Sequence, residues 1–151
     1  MKIAPMKMLY SGTLIIGIVM TGDLIFSAPV AAAGKAEEKV SIPATSEAIW
    51  QAIDKETEQL AMLIQSGTLE EVHRHAFAIR DLVAALPARS ASLGADKVAQ
   101  VKSNTKFVDT LAERLDATGD AKDKTGTESN FQKLKAVLKT IRANYPGSGP
   151  K

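Results

Sequence analysis

The sequence predicts an all-α protein, an antiparallel up-down-up-down four-helix bundle, on three observations. Apolar residues recur at spacings of three and four in four separate stretches. Capping residues, glycines and prolines punctuate those stretches where helices start and stop. No stretch shows the sustained two-residue alternation of a strand. Helices of about 20 residues, each roughly 30 Å long, joined by short connections, give an up-down order.

The first 33 residues read as a secretory signal peptide instead of part of the fold. Lys2 and Lys7 make a positive start, Leu14 to Met20 an apolar stretch, and Ala31-Ala32-Ala33 a small-residue cut site before Gly34. A retained anchor over Met8 to Val30 would carry Asp23 into the bilayer, at about 2.5–3.5 kcal/mol. Cleavage near Ala33 is therefore the expectation, with a periplasmic or secreted product that meets the membrane only through this segment. Residues 34–44 (GKAEEKVSIPA) are charged and poor in large apolar side chains, the composition of a flexible leader.

The bundle is expected over 45–146. Thr45 or Ser46 caps helix one, Ile49, Ile53, Leu60, Leu63 and Ile64 form its stripe, and Gly67 closes it. Thr68 and Glu71 have the spacing of a capping box for helix two. That helix carries Leu69, Val72, Ala76, Ile79, Val83 and Leu86, and Pro87 ends it. Helix three starts near Asp96, with Val98, Val101, Thr105, Val108, Leu111, Ala112 and Leu115 on one face, and breaks at Thr118-Gly119-Asp120. Helix four carries Phe131, Leu134, Leu138, Ile141 and Tyr145 and stops at Pro146-Gly147. Residues 147–151 are left as a disordered tail.

Composition narrows the function. The chain has 151 residues, 45% hydrophobic and 24% charged, with no cysteine and a net charge of +2. Removing Lys2, Lys7 and Asp23 with the signal lowers that charge by one. A surface so balanced is no nucleic-acid trap. Without thiols, a disulfide scaffold, a Cys-ligated metal and a covalently attached haem are impossible. With two histidines and no defensible Ser/His/Asp set, glycine-rich phosphate loop or paired active carboxylates, the expectation is a protein that is not an enzyme.

His73 and His75 stand two residues apart, about 200° around a helix, so they cannot chelate one metal together. Each is a candidate as a single metal or haem ligand. The plainer alternative is a boundary histidine hydrogen-bonded to a neighbouring helix. His73 shares its flank with Phe77 and Arg80, the group expected to hold a small ligand if there is one. Arg80 is expected either to pair with a carboxylate on a facing helix or to hold an anion such as a haem propionate. Asp116, Asp120 and Asp123 form an acidic turn of the kind that suits a hard cation. Their spacing is not that of an EF-hand, and Asp120 and Asp123 are better explained as first-turn acids that complement the dipole of helix four. Trp50, Phe77, Phe107, Phe131 and Tyr145 are expected at the core or its edge, with Phe107 off the main stripe of helix three.

The stretch LKTIRANYP, Leu138 to Pro146, resembles the closing LKxxRxxYH of the soluble periplasmic b-type four-helix cytochromes. That resemblance implies an exported four-helix bundle. It does not carry over a haem site. Pro146 stands where the family's histidine ligand would be, and Ile49, Trp50 and Ile53 offer no methionine for the other axial position. The stretch VHRHAFAIRDL is also similar to segments of small exported bundles associated with bacterial metal resistance, which implies binding or sensing. Three readings follow. The first is a non-catalytic periplasmic binding or accessory protein linked to metal stress. The second is a haem protein with non-standard ligation through His73 or His75. The third is a structural or chaperone-like module whose partner docks on an exposed apolar face near Phe107. The partners these readings admit are a small ligand, an unidentified periplasmic protein or a second copy in a homodimer.

Overall fold

Helix α1 (Ser46–Ser66) starts at the predicted cap: Thr45 is extended, and its hydroxyl accepts the Ala48 N–H at 3.2 Å. The computed structural model describes residues 39–145, which hold four α-helices and no strand. The signal read over 1–33, the start of the leader and the residues from Pro146 onward lie outside the described residues. Gly67, at φ 82°, closes α1 in the left-handed region, where a β-carbon would be strained. The Thr68 N–H returns to the Leu63 carbonyl at 3.0 Å and the Gly67 N–H to the Ile64 carbonyl at 3.3 Å, a Schellman closure.

That closure overrides the capping box expected at Thr68 and Glu71. Because the Thr68 amide is committed to α1, its backbone sits at φ −82°, ψ 69°, and its side chain caps nothing. Its hydroxyl instead lies 3.0 Å from that of Ser66. The next residues, Leu69–Glu71, form a single 3₁₀ turn, and helix α2 (Val72–Ala85) begins after it, with 14 residues instead of about 20. A second 3₁₀ turn, Pro87–Arg89, follows.

Helix α3 (Ala95–Asp120) runs straight through the predicted break at Thr118-Gly119-Asp120. The physical reason is packing. Gly119 is buried against the start of the α2 segment, so close that a β-carbon there would lie 2.9 Å from the Leu69 carbonyl oxygen and 3.3 Å from Val72 Cβ. The glycine serves the approach of two backbones and not the end of a helix. The real turn is Ala121 to Asp123, with Lys122 at φ 54°. Asp123 then caps helix α4 (Lys124–Arg142) by accepting the Gly126 N–H at 2.9 Å.

The helices meet chiefly in chain order: α1 against α2, α2 against α3, and α3 against α4, while α1 and α4 approach over a narrower seam. Lying between two neighbours, α2 buries His75, Ala78 and Leu82 as well as the predicted Val72, Ala76, Ile79 and Val83. Ile49, Ile53, Leu60, Leu115, Leu134 and Ile141 are fully buried across the other three helices. The α1–α4 seam is tied by side chains. Arg142 donates to Asp54 and stacks its guanidinium 4.4 Å from the Trp50 ring centroid, and Lys124 donates to the Gln65 carbonyl at 3.3 Å. The leader is less loose than its composition suggests, since Val40 packs against the core.

Tyr145, beyond the end of α4, is buried, with its ring edge-on to Trp50 at 5.6 Å. Its hydroxyl lies 2.6 Å from Ser90 Oγ, which in turn donates to the Leu86 carbonyl. Burial raises the Tyr145 pKa above its ordinary 10.0, partly offset by Ser90, whose hydroxyl can turn to serve the phenolate. Since the folded value exceeds the unfolded one, this contribution to stability is complete below pH 10 and is lost as pH climbs through the folded value. Urea midpoints are therefore expected to fall above pH 10 more steeply for the wild type than for Tyr145→Phe. Parallel profiles for the two would contradict this assignment.

Candidate functional site

Glu56 interrupts the apolar stripe of α1, at the position between Ile53 and Leu60 where the spacing of three and four calls for another hydrophobic residue. On α2, His75 faces the same seam and is 7% exposed. Its Nδ1 lies 2.6 Å from Glu56 Oε2, and Arg74 Nη2 lies 3.4 Å from its Nε2. A carboxylate at Nδ1 calls for Nδ1–H as the donor, and the Nε2 edge of the ring faces the guanidinium. The three groups form a relay of polar contacts: Arg74, His75, Glu56.

This relay borders a cavity of about 610 Å³. Its walls are Lys55, Glu56 and Gln59 of α1, Arg74, His75 and Ala78 of α2, and Lys39, Val40 and Ser41 of the segment leading into α1. Lys39, Lys55 and Arg74 bring three positive charges to the lining, against the single carboxylate of Glu56, which His75 already engages.

The sequence singled out the other flank, and the structure places it differently. His73 is half-buried, and its Nδ1 lies 3.0 Å from the Glu70 carbonyl, in the 3₁₀ turn that precedes its helix. Arg80 pairs with a carboxylate on its own helix. Its Nε donates to Asp81, the next residue, at 2.9 Å, while its guanidinium lies 4.5 Å from the Phe77 ring centroid. Phe77 and Arg80 thus meet each other, as their spacing implied, and His75, not His73, borders the cavity.

The acidic residues are dispersed among separate tasks. Asp116 is half-buried within α3, Asp120 is the last residue of α3, and Asp123 caps α4. Asp120 therefore belongs to the end of one helix and not to the first turn of the next. Among the described residues, no three His, Asp or Glu side chains are grouped so as to hold a metal ion. Nor is any described helix long and apolar enough to cross a membrane. Of the aromatics, Trp50, Phe131 and Tyr145 are buried, Phe77 is half-buried, and Phe107 is 58% exposed.

Sequence reasoning missed Glu56, Arg74, Lys55 and Lys39. Glu56 had a signal, a carboxylate occupying an apolar position of the stripe; the cations had none, being charged residues among many. Comparison with known proteins assigns no relationship: no family model matches the chain, and neither does a curated protein or a solved structure.

Proposed function

We propose that the chain is a non-catalytic, exported binding protein, an antiparallel up-down-up-down four-helix bundle that takes a small anion in the cleft beside His75. The sequential packing of the helices and their short connections support the up-down order. The signal read over 1–33 supports export. The observation that carries the anion reading is the position of Arg74 at the Nε2 edge of His75, with Lys39 and Lys55 on the same cavity wall. A divalent cation or haem iron approaching Nε2 would stand against a guanidinium, whereas an oxyanion there gains charge-assisted hydrogen bonds. Metal stress, the setting implied by the weaker sequence resemblance, enters this reading only through anionic forms.

Calorimetric titration with inorganic phosphate and with sulfate tests the proposal. Saturable binding is expected, weakening with salt, and Arg74→Glu should lower affinity about tenfold to a hundredfold, the worth of one hydrogen bond to a charged group. Binding of zinc ions that survives Arg74→Glu, with no response to either oxyanion, would overturn it.

A further inference from the structure

A second cavity, of about 280 Å³, lies in the seam between α1 and α4 and shares no lining residue with the His75 cleft. Its floor is apolar. Ile53 and Leu138 form it, and Thr57 adds a wall on which the hydroxyl is turned away to its own helix, donating to the Ile53 carbonyl at 2.7 Å. Its rim is cationic. Lys135, Lys139 and Arg142 fall on one face of α4 at spacings of four and three, so all three border the same cavity.

Only one carboxylate, Asp54, lines the cavity in return, and it is already paired with Arg142. Lys135 holds its ammonium 5.0 Å from the Phe131 ring centroid, and neither lysine makes an ion pair with a described residue. The lining therefore joins a hydrophobic floor to two uncompensated positive charges on one side.

From this juxtaposition we infer that the α1–α4 seam is a binding site for a single-chain amphiphilic carboxylate of the fatty-acid type. The tail lies over Ile53 and Leu138, and the carboxylate meets Lys135 and Lys139. The apolar floor selects against a bare inorganic anion, which would lose its hydration there without hydrogen bonds in return. The cationic rim selects against a second copy of the chain, because a two-fold interface would set the same lysines against each other. The inference is independent of the His75 cleft and goes beyond it.

Trp50, the single tryptophan of the chain, reports on this site, since Arg142 stacks on it and also borders the cavity. The test is equilibrium dialysis of the full chain against sodium decanoate below its micelle concentration, with Trp50 emission followed in parallel. One decanoate per chain is expected, with saturable change in emission, and uncharged decanol should bind roughly tenfold more weakly. The exposed double variant Lys135→Glu/Lys139→Glu, checked for helicity by circular dichroism, should lose decanoate affinity roughly tenfold or more and take up decyltrimethylammonium instead. Arg74→Glu should bind decanoate as the wild type does, which separates this site from the cleft. No uptake, unsaturable uptake of several molecules per chain, equal affinity in the charge-reversed variant, or a decanoate-insensitive dimer in sedimentation would each overturn the inference.

Discussion

Replacing Trp50 with alanine is expected to destabilise the protein by about 3–5 kcal/mol, the largest effect of any single truncation. The indole is 3% exposed and lies where α1, α4 and the residues after α4 converge. It meets the Tyr145 ring edge-on and the Arg142 guanidinium face-on. Alanine would remove that area and leave both partners facing a void. Phenylalanine would keep a ring in place and discard the indole N–H, which is buried and meets no acceptor among the described residues. A buried donor in that condition costs about 1–3 kcal/mol, so its removal returns part of what the smaller ring loses. Trp50→Phe should therefore cost less than half as much as Trp50→Ala. Urea unfolding followed by circular dichroism, which needs no tryptophan, distinguishes them. Equal losses would show that the indole N–H does not matter in this way.

Gly119 presents the opposite contest. Inside a helix, glycine to alanine ordinarily gains up to about 1 kcal/mol of helix propensity. Here the added β-carbon would sit 2.9 Å from the Leu69 carbonyl oxygen, an atom of the backbone that cannot swing aside. Relief requires α3 to retreat from the start of the α2 segment, and overpacking of this kind costs about 1–3 kcal/mol. Gly119→Ala should thus destabilise the protein despite its better propensity, and Gly119→Val more so. Gly94→Ala is the control, since a β-carbon there meets nothing within 4 Å. Thermal midpoints for the three variants decide the matter; a Gly119→Ala protein as stable as the wild type would mean that the close approach is relaxed at little cost.

The same glycine shows where the sequence was legible and where it was not. Period and punctuation placed all four helices, since a stripe at spacings of three and four is written locally. Thr45, Gly67 and Pro87 marked the ends they were expected to mark, each acting within a turn of itself. Gly119 signals a turn by its composition, but its environment is supplied by Leu69 and Val72, many residues earlier. Thr68 failed as a cap because its amide was claimed by the preceding helix. The candidate site was harder still. Both histidines were noticed, but which one borders a cavity depends on Glu56 of α1 and on the lead-in segment, and their approach is decided in three dimensions. The Arg80–Asp81 pair joins adjacent residues, a contact that the search for carboxylates on facing helices did not weigh.

The order in which the helices meet carries a kinetic consequence. Elements that touch mainly their neighbours in the chain close short loops, and little chain entropy is lost before each contact forms. The pairs α1–α2, α2–α3 and α3–α4 can each form locally, whereas the α1–α4 seam joins residues as far apart as Asp54 and Arg142. That seam is expected to assemble late and to part early, and native-state hydrogen exchange should then find α2 and α3 better protected than the facing sides of α1 and α4. The cavity lined by Ile53 and Leu138 lies in that seam, so on this expectation a ligand would reach it by local parting, with the centre left folded.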